Sequence, residues 1–264
     1  MKVGHAGTLD PLATGLLIIC TGKFTKQINE FMGMQKEYTG SLVLGATTAS
    51  YDLEQEPENF KSIDSITASK ILETTQQFIG TIFQLPPQHS AIKKDGKRLY
   101  ESARQGIEVK VDPRQITIET FEITKIDLPT IEFRVVCSTG TYIRSLARDI
   151  AQSLGGFSHV TQLIRTRYGS FRIKNSNSLE KLIEKESTDH FLKYVLDIQS
   201  ALIHIPSIKL KDERINLIKN GMKVSLVNEF GKVSLDNIYT EALDKPLALG
   251  YLKSGFFYPK RVFN

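Results

Sequence analysis

A glycine-rich loop near the start of the chain is its most informative segment, and it reads Gly4-His5-Ala6-Gly7-Thr8-Leu9-Asp10-Pro11-Leu12-Ala13-Thr14-Gly15. It runs directly into the apolar segment at residues 16–20, which is expected to be a buried helix or strand. Glycine is favoured where the backbone bends or closely approaches a neighbour, and Pro11 fixes the backbone beside Asp10. A carboxylate held in this way can be a nucleophile, a base or a ligand, or it can stabilise a turn.

The composition is that of an ordinary globular protein with a sizeable core. The 264 residues are 41% hydrophobic and 24% charged, a length that suits one large domain with a small appendage. The sequence has no run of about 18 apolar residues that would span a membrane, and its start lacks a signal-peptide pattern. Cys20 and Cys137 lack the spacing of a metal site, so we expect buried free thiols, a reducing cytoplasmic compartment and no metal.

The charge distribution weakly favours a polyanionic partner. The net charge is +5, and between Arg134 and Lys174 the chain carries seven basic residues against the single acid Asp149. Such a segment can be a solvated surface or a contact with an RNA backbone, and charge alone does not decide between them.

Hydrophobic periodicity predicts a mixture of strands and helices. We expect strands at residues 38–46 and 81–85, a hairpin of residues 116–126 and 131–137, and helices at residues 67–79 and 141–154. Thr141 is the expected cap of the latter helix. After residue 204 several short strands indicate a small β-rich module.

The loop around Asp10 resembles the signature loop of the TruB-type tRNA pseudouridine synthases, which isomerise uridine 55 in the T loop of tRNA. The resemblance rests on a run of consecutive residues. It implies an α+β pseudouridine-synthase fold, with a mixed, mostly antiparallel sheet flanked by helices, and a reaction without a cofactor. It also implies that Asp10 is the catalytic nucleophile and that His5 inserts into the T loop in place of the extracted base.

Three further motifs share this resemblance: Lys36-Glu37-Tyr38, Cys137-Ser138-Thr139-Gly140-Thr141-Tyr142-Ile143-Arg144, and Val160-Thr161-Gln162-Leu163-Ile164-Arg165. The resemblance implies that Tyr38 stacks on the target uracil and assists proton removal at C5. It makes Tyr142 and Leu163 parts of the uracil pocket and Arg144 the partner of Asp10. Taken without the family, Tyr38 and Leu163 are ordinary core residues.

Residues 86–113 form a Pro-bounded, basic segment that resembles the RNA-clamping insertion of the family. The expected RNA contacts are Lys93, Arg98, Arg104, Arg148 and Arg165. We therefore expect a catalytic domain at residues 1–204 and a PUA-like module at residues 205–264. For that module, binding of the tRNA acceptor stem and simple structural capping are equally open.

One departure from the family concerns the start of the chain. Only Met1-Lys2-Val3 precede the loop, where family members carry several tens of residues, so the chain is a fragment, begins at a misassigned start or is a short variant. An uncovered sheet edge and exposed apolar surface are expected there. The expected partner is the T stem-loop of tRNA, with no membrane and no protein partner, and the chain is expected to be a monomer.

Three rival functions follow from the same residues. The first is a tRNA-binding or tRNA-folding fragment without catalysis. The second, an aspartyl-phosphate phosphatase, needs a second Asp soon after Asp10, and residues 11–14 contain none. The third, a glycosidase, needs a second carboxylate, for which Glu37 is the candidate.

Overall fold

A computed structural model describes residues 1–94, 96–183 and 188–263, and it divides the chain into two compact units, Met1–Ser176 and Asn177–Asn264. The division lies earlier than the boundary expected after residue 204. The physical reason is packing: Leu202 and Ile205 share an apolar cluster with Tyr239 and Leu249 of the C-terminal sheet. Residues just before 205 therefore belong with the second unit.

The elements are numbered in chain order. The strands are β1 (Val3–Ala6), β2 (Thr14–Gly15), β3 (Ile18–Thr21), β4 (Lys36–Leu44), β5 (Gly80–Gln84), β6 (Lys93–Lys94), β7 (Lys97–Arg98), β8 (Arg114–Asp127), β9 (Thr130–Cys137), β10 (Ser158–Tyr168), β11 (Phe171–Arg172), β12 (Ser207–Lys209), β13 (Val224–Ser225), β14 (Leu235–Ala242), β15 (Lys245–Lys253) and β16 (Phe256–Val262). The α-helices are α1 (Ile28–Met32), α2 (Ala68–Gln76), α3 (Leu99–Ala103), α4 (Ile143–Ser153), α5 (Leu179–Ile183), α6 (Thr188–Leu192), α7 (Ile198–Ala201), α8 (Arg214–Lys219) and α9 (Val227–Phe230). Short 3-10 turns cover Gly22–Gln27 and Ile173–Asn175.

The first unit is built on a central sheet with the strand order β11-β10-β4-β9-β8-β5, in which β2 also pairs with β10. Every neighbouring pair along that order is antiparallel, whereas the short β2 pairs with β10 in parallel. The hairpin predicted from alternation is confirmed as β8 and β9. The expected α+β fold with a mixed, mostly antiparallel sheet is confirmed as well.

Helices α2 and α4 cover the sheet with their apolar stripes. Ile71 of α2 and Leu146 and Ile150 of α4 join one core cluster with the sheet residues Phe121 and Phe133. The two phenylalanine rings pack edge to face with their centres 6.0 Å apart. This geometry stabilises the core beyond the burial of their apolar area. The core therefore lies between these helices and the central sheet, and it fixes the start of α4 beside the sheet.

The predicted cap of α4 is wrong. The helix begins at Ile143 after Tyr142, and no side chain of the described residues caps it. Thr141 instead donates its hydroxyl hydrogen to the carbonyl of Ser138, at 3.0 Å, within the turn that follows β9. The first turn of α4 thus lacks the expected side-chain acceptor, and Arg144 lies within it.

We expect Gly40→Ala to destabilise the protein by about 3 kcal/mol, which corresponds to a fall in Tm of about 6–10 °C. Gly40 lies in β4, where a Cβ would clash with the backbone carbonyl of Gln162 in β10. A backbone atom of a central strand cannot move away cheaply. Thermal unfolding followed by circular dichroism measures the change. Gly33→Ala is the matched control, because a Cβ there meets no atom within 4 Å. Equal Tm values for the two variants would contradict the expectation.

The second unit contains a five-stranded sheet with the order β12-β14-β15-β16-β13. Ile218 of α8 packs with Leu247 and Phe257 in its core. The sequence pattern does not predict strand β14, because it mixes polar and apolar residues without regular alternation. Within the described parts of the chain, the helices are all too short or too polar to cross a bilayer.

Candidate active site

Asp10 lies in a pocket of the first unit to which the glycine-rich loop, β4, β10 and the start of α4 all contribute. Four of the residues predicted from sequence line it: Asp10, Tyr38, Tyr142 and Leu163. The remaining lining residues are Thr8, Leu9, Ala13, Thr141 and Ile143. Leu163 and Tyr38 come from adjacent strands, and Tyr142 immediately precedes α4. The fold therefore brings an acid, two phenols and an aliphatic side chain around one cavity.

Arg144 binds both oxygens of the Asp10 carboxylate. Its Nε donates to Oδ2 at 2.9 Å and its Nη2 donates to Oδ1 at 2.6 Å. Arg144 is 3% exposed, whereas the Asp10 side chain is 30% exposed and borders the pocket. Such two-point pairing fixes both the charge and the orientation of a carboxylate. The pairing of Arg144 with Asp10 that the family resemblance implied is present in the structure.

Arg144 is itself held from several sides. It donates to the carbonyls of Ser50 and His89, both at 3.0 Å, and its Nε lies 3.5 Å from Oδ2 of Asp52. Asp52 accepts a hydrogen bond from the hydroxyl of Ser50 at 2.6 Å. Sequence reasoning missed Ser50 and Asp52, because they lie in an irregular loop where no spacing or periodicity marks them.

Gln84 at the end of β5 fixes the backbone of Tyr142, and sequence reasoning did not assign it to the site. The Gln84 side chain accepts from the Tyr142 amide at 2.8 Å and donates to the Tyr142 carbonyl at 3.1 Å. Gln84 is 2% exposed, so these two bonds satisfy its buried amide. The position of the Tyr142 ring therefore depends on a residue 58 positions away in the chain.

Both phenols of the pocket are kept neutral. Burial raises the pKa of Tyr38 to about 12, although the charge of Arg165 opposes this shift. Burial also raises the pKa of Tyr142. Since a phenol has an ordinary pKa near 10, neither ring carries charge at neutral pH. The pocket thus has flat apolar walls, with the Asp10 carboxylate at one side.

Three of the predicted RNA contacts are exposed basic residues of the insertion, namely Lys93, Arg98 and Arg104. Arg98 and Arg104 lie over the ring of Tyr100, at 5.9 Å and 5.4 Å from its centre. His5 is exposed on β1 and does not line the pocket. Contact of these residues with RNA stays a prediction. Asp95, within the same insertion, lies outside the described residues.

Two of the predicted RNA contacts need correction. Arg165 is 1% exposed and donates to the carbonyls of Leu16 and Gly7, so its guanidinium is not available to a phosphate. The side chain of Arg148 is 11% exposed and is paired with Asp149 at 2.7 Å. Its Nη2 also donates to the carbonyl of Leu85. Because these two arginines bind protein groups, neither offers a free guanidinium to an RNA phosphate, whereas Arg172 and Lys174 of the same basic segment are exposed.

Glu37, the candidate second carboxylate of a glycosidase, is fully engaged outside the pocket. It pairs with Arg134 at 3.0 Å and with Arg167 at 3.8 Å, and it accepts from the hydroxyl of Thr166 at 2.8 Å. Burial by itself would raise the pKa of Glu37, but the Thr166 hydrogen bond and the charge of Arg134 outweigh it. The pKa of Glu37 is therefore lowered. Because Glu37 does not line the pocket and is bound to Arg134, Arg167 and Thr166, it does not supply the second carboxylate of the glycosidase alternative.

Solved structures of other proteins share the fold of this chain. It is similar to a chain of a Cbf5-Nop10-Gar1 complex, with a TM-score of 0.73 and 24% identity, covering 100% of this chain and 76% of that one. It is likewise similar to a chain of an H/ACA RNP bound to a substrate RNA containing 2′-deoxyuridine, with a TM-score of 0.74 and 22% identity, covering 100% and 77%. Both likenesses show that this chain shares its fold with those chains.

Sequence relatives identify the family. The N-terminal domain of the TruB family pseudouridylate synthases matches residues 1–143. The tRNA pseudouridine synthase B of Clostridium tetani is 40% identical over 259 residues, which cover 97% of this chain and 88% of that protein. That of Flavobacterium johnsoniae is 58% identical over 175 residues, covering 66% and 76%. The chain belongs to the TruB family of pseudouridylate synthases.

Proposed function

We propose that this chain is a tRNA pseudouridine synthase that isomerises uridine 55 of the T loop, with Asp10 as nucleophile. The observation that carries the proposal is the Asp10 carboxylate, fixed by Arg144 at the side of a pocket walled by Tyr38, Tyr142 and Leu163. The named function of the relatives in Clostridium tetani and Flavobacterium johnsoniae supports tRNA as the substrate.

The proposed reaction is an isomerisation, so no atoms are added to the nucleotide apart from exchanged protons. The N1–C1′ bond of the uridine breaks, the uracil turns within the pocket, and C5 bonds to C1′. C5 then loses its proton and N1 takes up one from solvent, so the composition of the nucleotide is unchanged. Asp10 attacks the ribose or the uracil, or it stabilises a glycal-forming elimination. In each case Arg144 orients the carboxylate, and the Tyr38 ring holds the uracil by stacking.

Release of tritium from a tRNA transcript labelled at C5 of its uridines tests the reaction class, because C5 loses its hydrogen only when it becomes the new glycosidic carbon. We expect release of one equivalent of tritium per tRNA. A transcript carrying cytidine at position 55 is the matched control and should release none. Release from both transcripts would contradict the assignment of position 55.

The alternative of a non-catalytic tRNA-binding or tRNA-folding fragment predicts a different result. Such a protein would bind the transcript in a filter-binding assay and release no tritium. The paired Asp10 and Arg144 favour the enzyme, because a pure RNA-binding protein gains nothing from a carboxylate kept at the side of a pocket.

Tyr38→Phe separates the stacking role of Tyr38 from its proton role. The phenylalanine ring keeps the flat wall, so we expect tRNA affinity to change less than about twofold. We expect tritium release to slow by about 100-fold, because the variant lacks the neutral hydroxyl that would relay the C5 proton. Single-turnover release and filter binding measure the two effects. An unchanged release rate would show that Tyr38 acts through its ring alone.

A matching expectation concerns pH. Since burial raises the pKa of Tyr38 to about 12, the phenol stays protonated throughout the range from pH 7 to pH 10. The wild-type release rate should therefore show no ionisation of Tyr38 in that range, and wild type and Tyr38→Phe should have pH profiles of the same shape. A rise in rate with pH that disappears in Tyr38→Phe would contradict the neutral phenol.

A further inference from the structure

We propose that Arg165 is a positioning residue. It binds the glycine-rich loop to β10 on both sides of Asp10 and thereby positions the Asp10 carboxylate in the pocket. The side chain is among the largest fully buried ones of the chain. Within residues 1–94, 96–183 and 188–263, none of the ion pairs involves it. A buried guanidinium without a carboxylate is costly, so its other partners must matter.

The hydrogen bonds of Arg165 bracket the loop that carries Asp10. Its Nη2 donates to the carbonyl of Gly7 at 2.9 Å, before Asp10, and its Nε donates to the carbonyl of Leu16 at 2.7 Å, after Asp10. The backbone adds a third tie, because the Leu16 amide donates to the Arg165 carbonyl at 2.8 Å. One residue therefore holds the loop on both sides of the acid.

Close packing of Gly7 and Gly15 against β10 restricts the backbone of the glycine-rich loop. At Gly15, where φ is +101°, a Cβ would clash with the carbonyl of Arg165. At Gly7, a Cβ would lie 3.0 Å from the ring of Tyr168, over which the Arg165 guanidinium lies at 5.0 Å. Glycine at these positions lets the loop approach β10 closely enough for the Arg165 bonds to form.

Arg165 also links the loop to the uracil-contacting side of the pocket. It pairs across strands with Tyr38 and lies two residues after Leu163, which lines the pocket. Its charge and hydrogen bonding act on the hydroxyl of Tyr38. The same side chain therefore sets the loop, and with it Asp10, relative to Tyr38.

Loss of the guanidinium leaves the carbonyls of Gly7 and Leu16 without these donors and frees the loop to shift. A displacement of about 1 Å at a reacting group lowers a rate by about 100-fold. The substitution Arg165→Lys would keep the charge, but one ammonium group lacks the planar fork that reaches two carbonyls. We therefore expect a graded loss, in which Arg165→Lys is slower than wild type and Arg165→Met is slower still.

The experiment measures three quantities on the full chain: the single-turnover rate of tritium release at saturating protein, tRNA affinity by filter binding, and Tm. We expect Arg165→Met to release tritium about 100-fold more slowly than wild type while its tRNA affinity changes less than about twofold. Arg214→Met, in the other compact unit, is the matched control. It removes a guanidinium that pairs with Asp212 and Glu229 and should leave the release rate unchanged.

The outcomes separate the possible roles of Arg165. Weaker and less salt-dependent tRNA binding with a normal rate at saturation would make Arg165 an RNA contact and overturn the proposal. A rate loss that equals the loss of folded protein would make its role purely structural and also overturn it. If Arg165→Met does not fold, Arg165→Lys decides by the same comparison. Because this role presupposes the enzyme activity, wild type is assayed first, and absence of release there refutes the proposed function instead.

Discussion

Asp10→Asn should abolish pseudouridine formation, lowering the single-turnover rate by more than about 10⁴-fold. Asn has the same shape as Asp, so the loop keeps its bends and the hydrogen bond from the Ala13 amide to the backbone carbonyl of residue 10. What disappears is the carboxylate at the side of the pocket, and no other acid lines this cavity among the described residues. Asp52 faces Arg144 and does not line the cavity that holds Tyr38 and Tyr142.

Binding and a matched control complete the Asp10 experiment. We expect Asp10→Asn to bind tRNA as well as wild type within about threefold, since one carboxylate near a polyanion does not favour binding. Asp127→Asn makes the same chemical change at an exposed turn and should keep the wild-type rate. Retention of a tenth or more of the activity in Asp10→Asn would show that Asp10 is not the nucleophile.

Arg144→Met should combine the second-largest loss of activity with a loss of stability. The substitution removes the donors to Asp10 and to the carbonyls of Ser50 and His89, and it leaves Asp52 without its cation. Breaking a buried ion pair by removing one partner costs about 3–5 kcal/mol. We expect a release rate at least about 10³-fold below wild type, because Asp10 loses the group that orients it.

Arg144→Lys distinguishes charge from geometry at the same position. A lysine retains the positive charge but cannot bind both carboxylate oxygens through a planar fork. We expect it to recover most of the lost Tm and little of the lost rate. Thermal unfolding and single-turnover tritium release measure the two quantities. Full recovery of the rate by lysine would show that Arg144 contributes only charge.

Strong local patterns allowed much of the fold to be predicted. The alternation in β8 and β9 and the apolar stripe of α2 identified these elements within a few residues. The resemblance of the glycine-rich loop identified Asp10, and the structure shows the expected pairing with Arg144. These residues lie in continuous motifs, where sequence neighbours carry the signal.

The remaining features depend on contacts between distant segments. Arg165 belongs to a basic segment of the sequence, but the fold places it under the loop, 149 positions from Leu16. Gln84 binds the backbone of Tyr142 and Asp52 pairs with Arg144, both far away in the chain. Composition cannot show whether an arginine faces solvent or a buried carbonyl, because both choices have the same local pattern.

Direct mapping of pseudouridine in a tRNA transcript, after single-turnover reaction with wild type and with Asp10→Asn in parallel, tests the central claim most directly. The proposed function predicts one pseudouridine, at position 55 of the T loop, in the wild-type reaction and none in the Asp10→Asn reaction. Modification at another position, the same product from both proteins, or no product from wild type despite tRNA binding would contradict it.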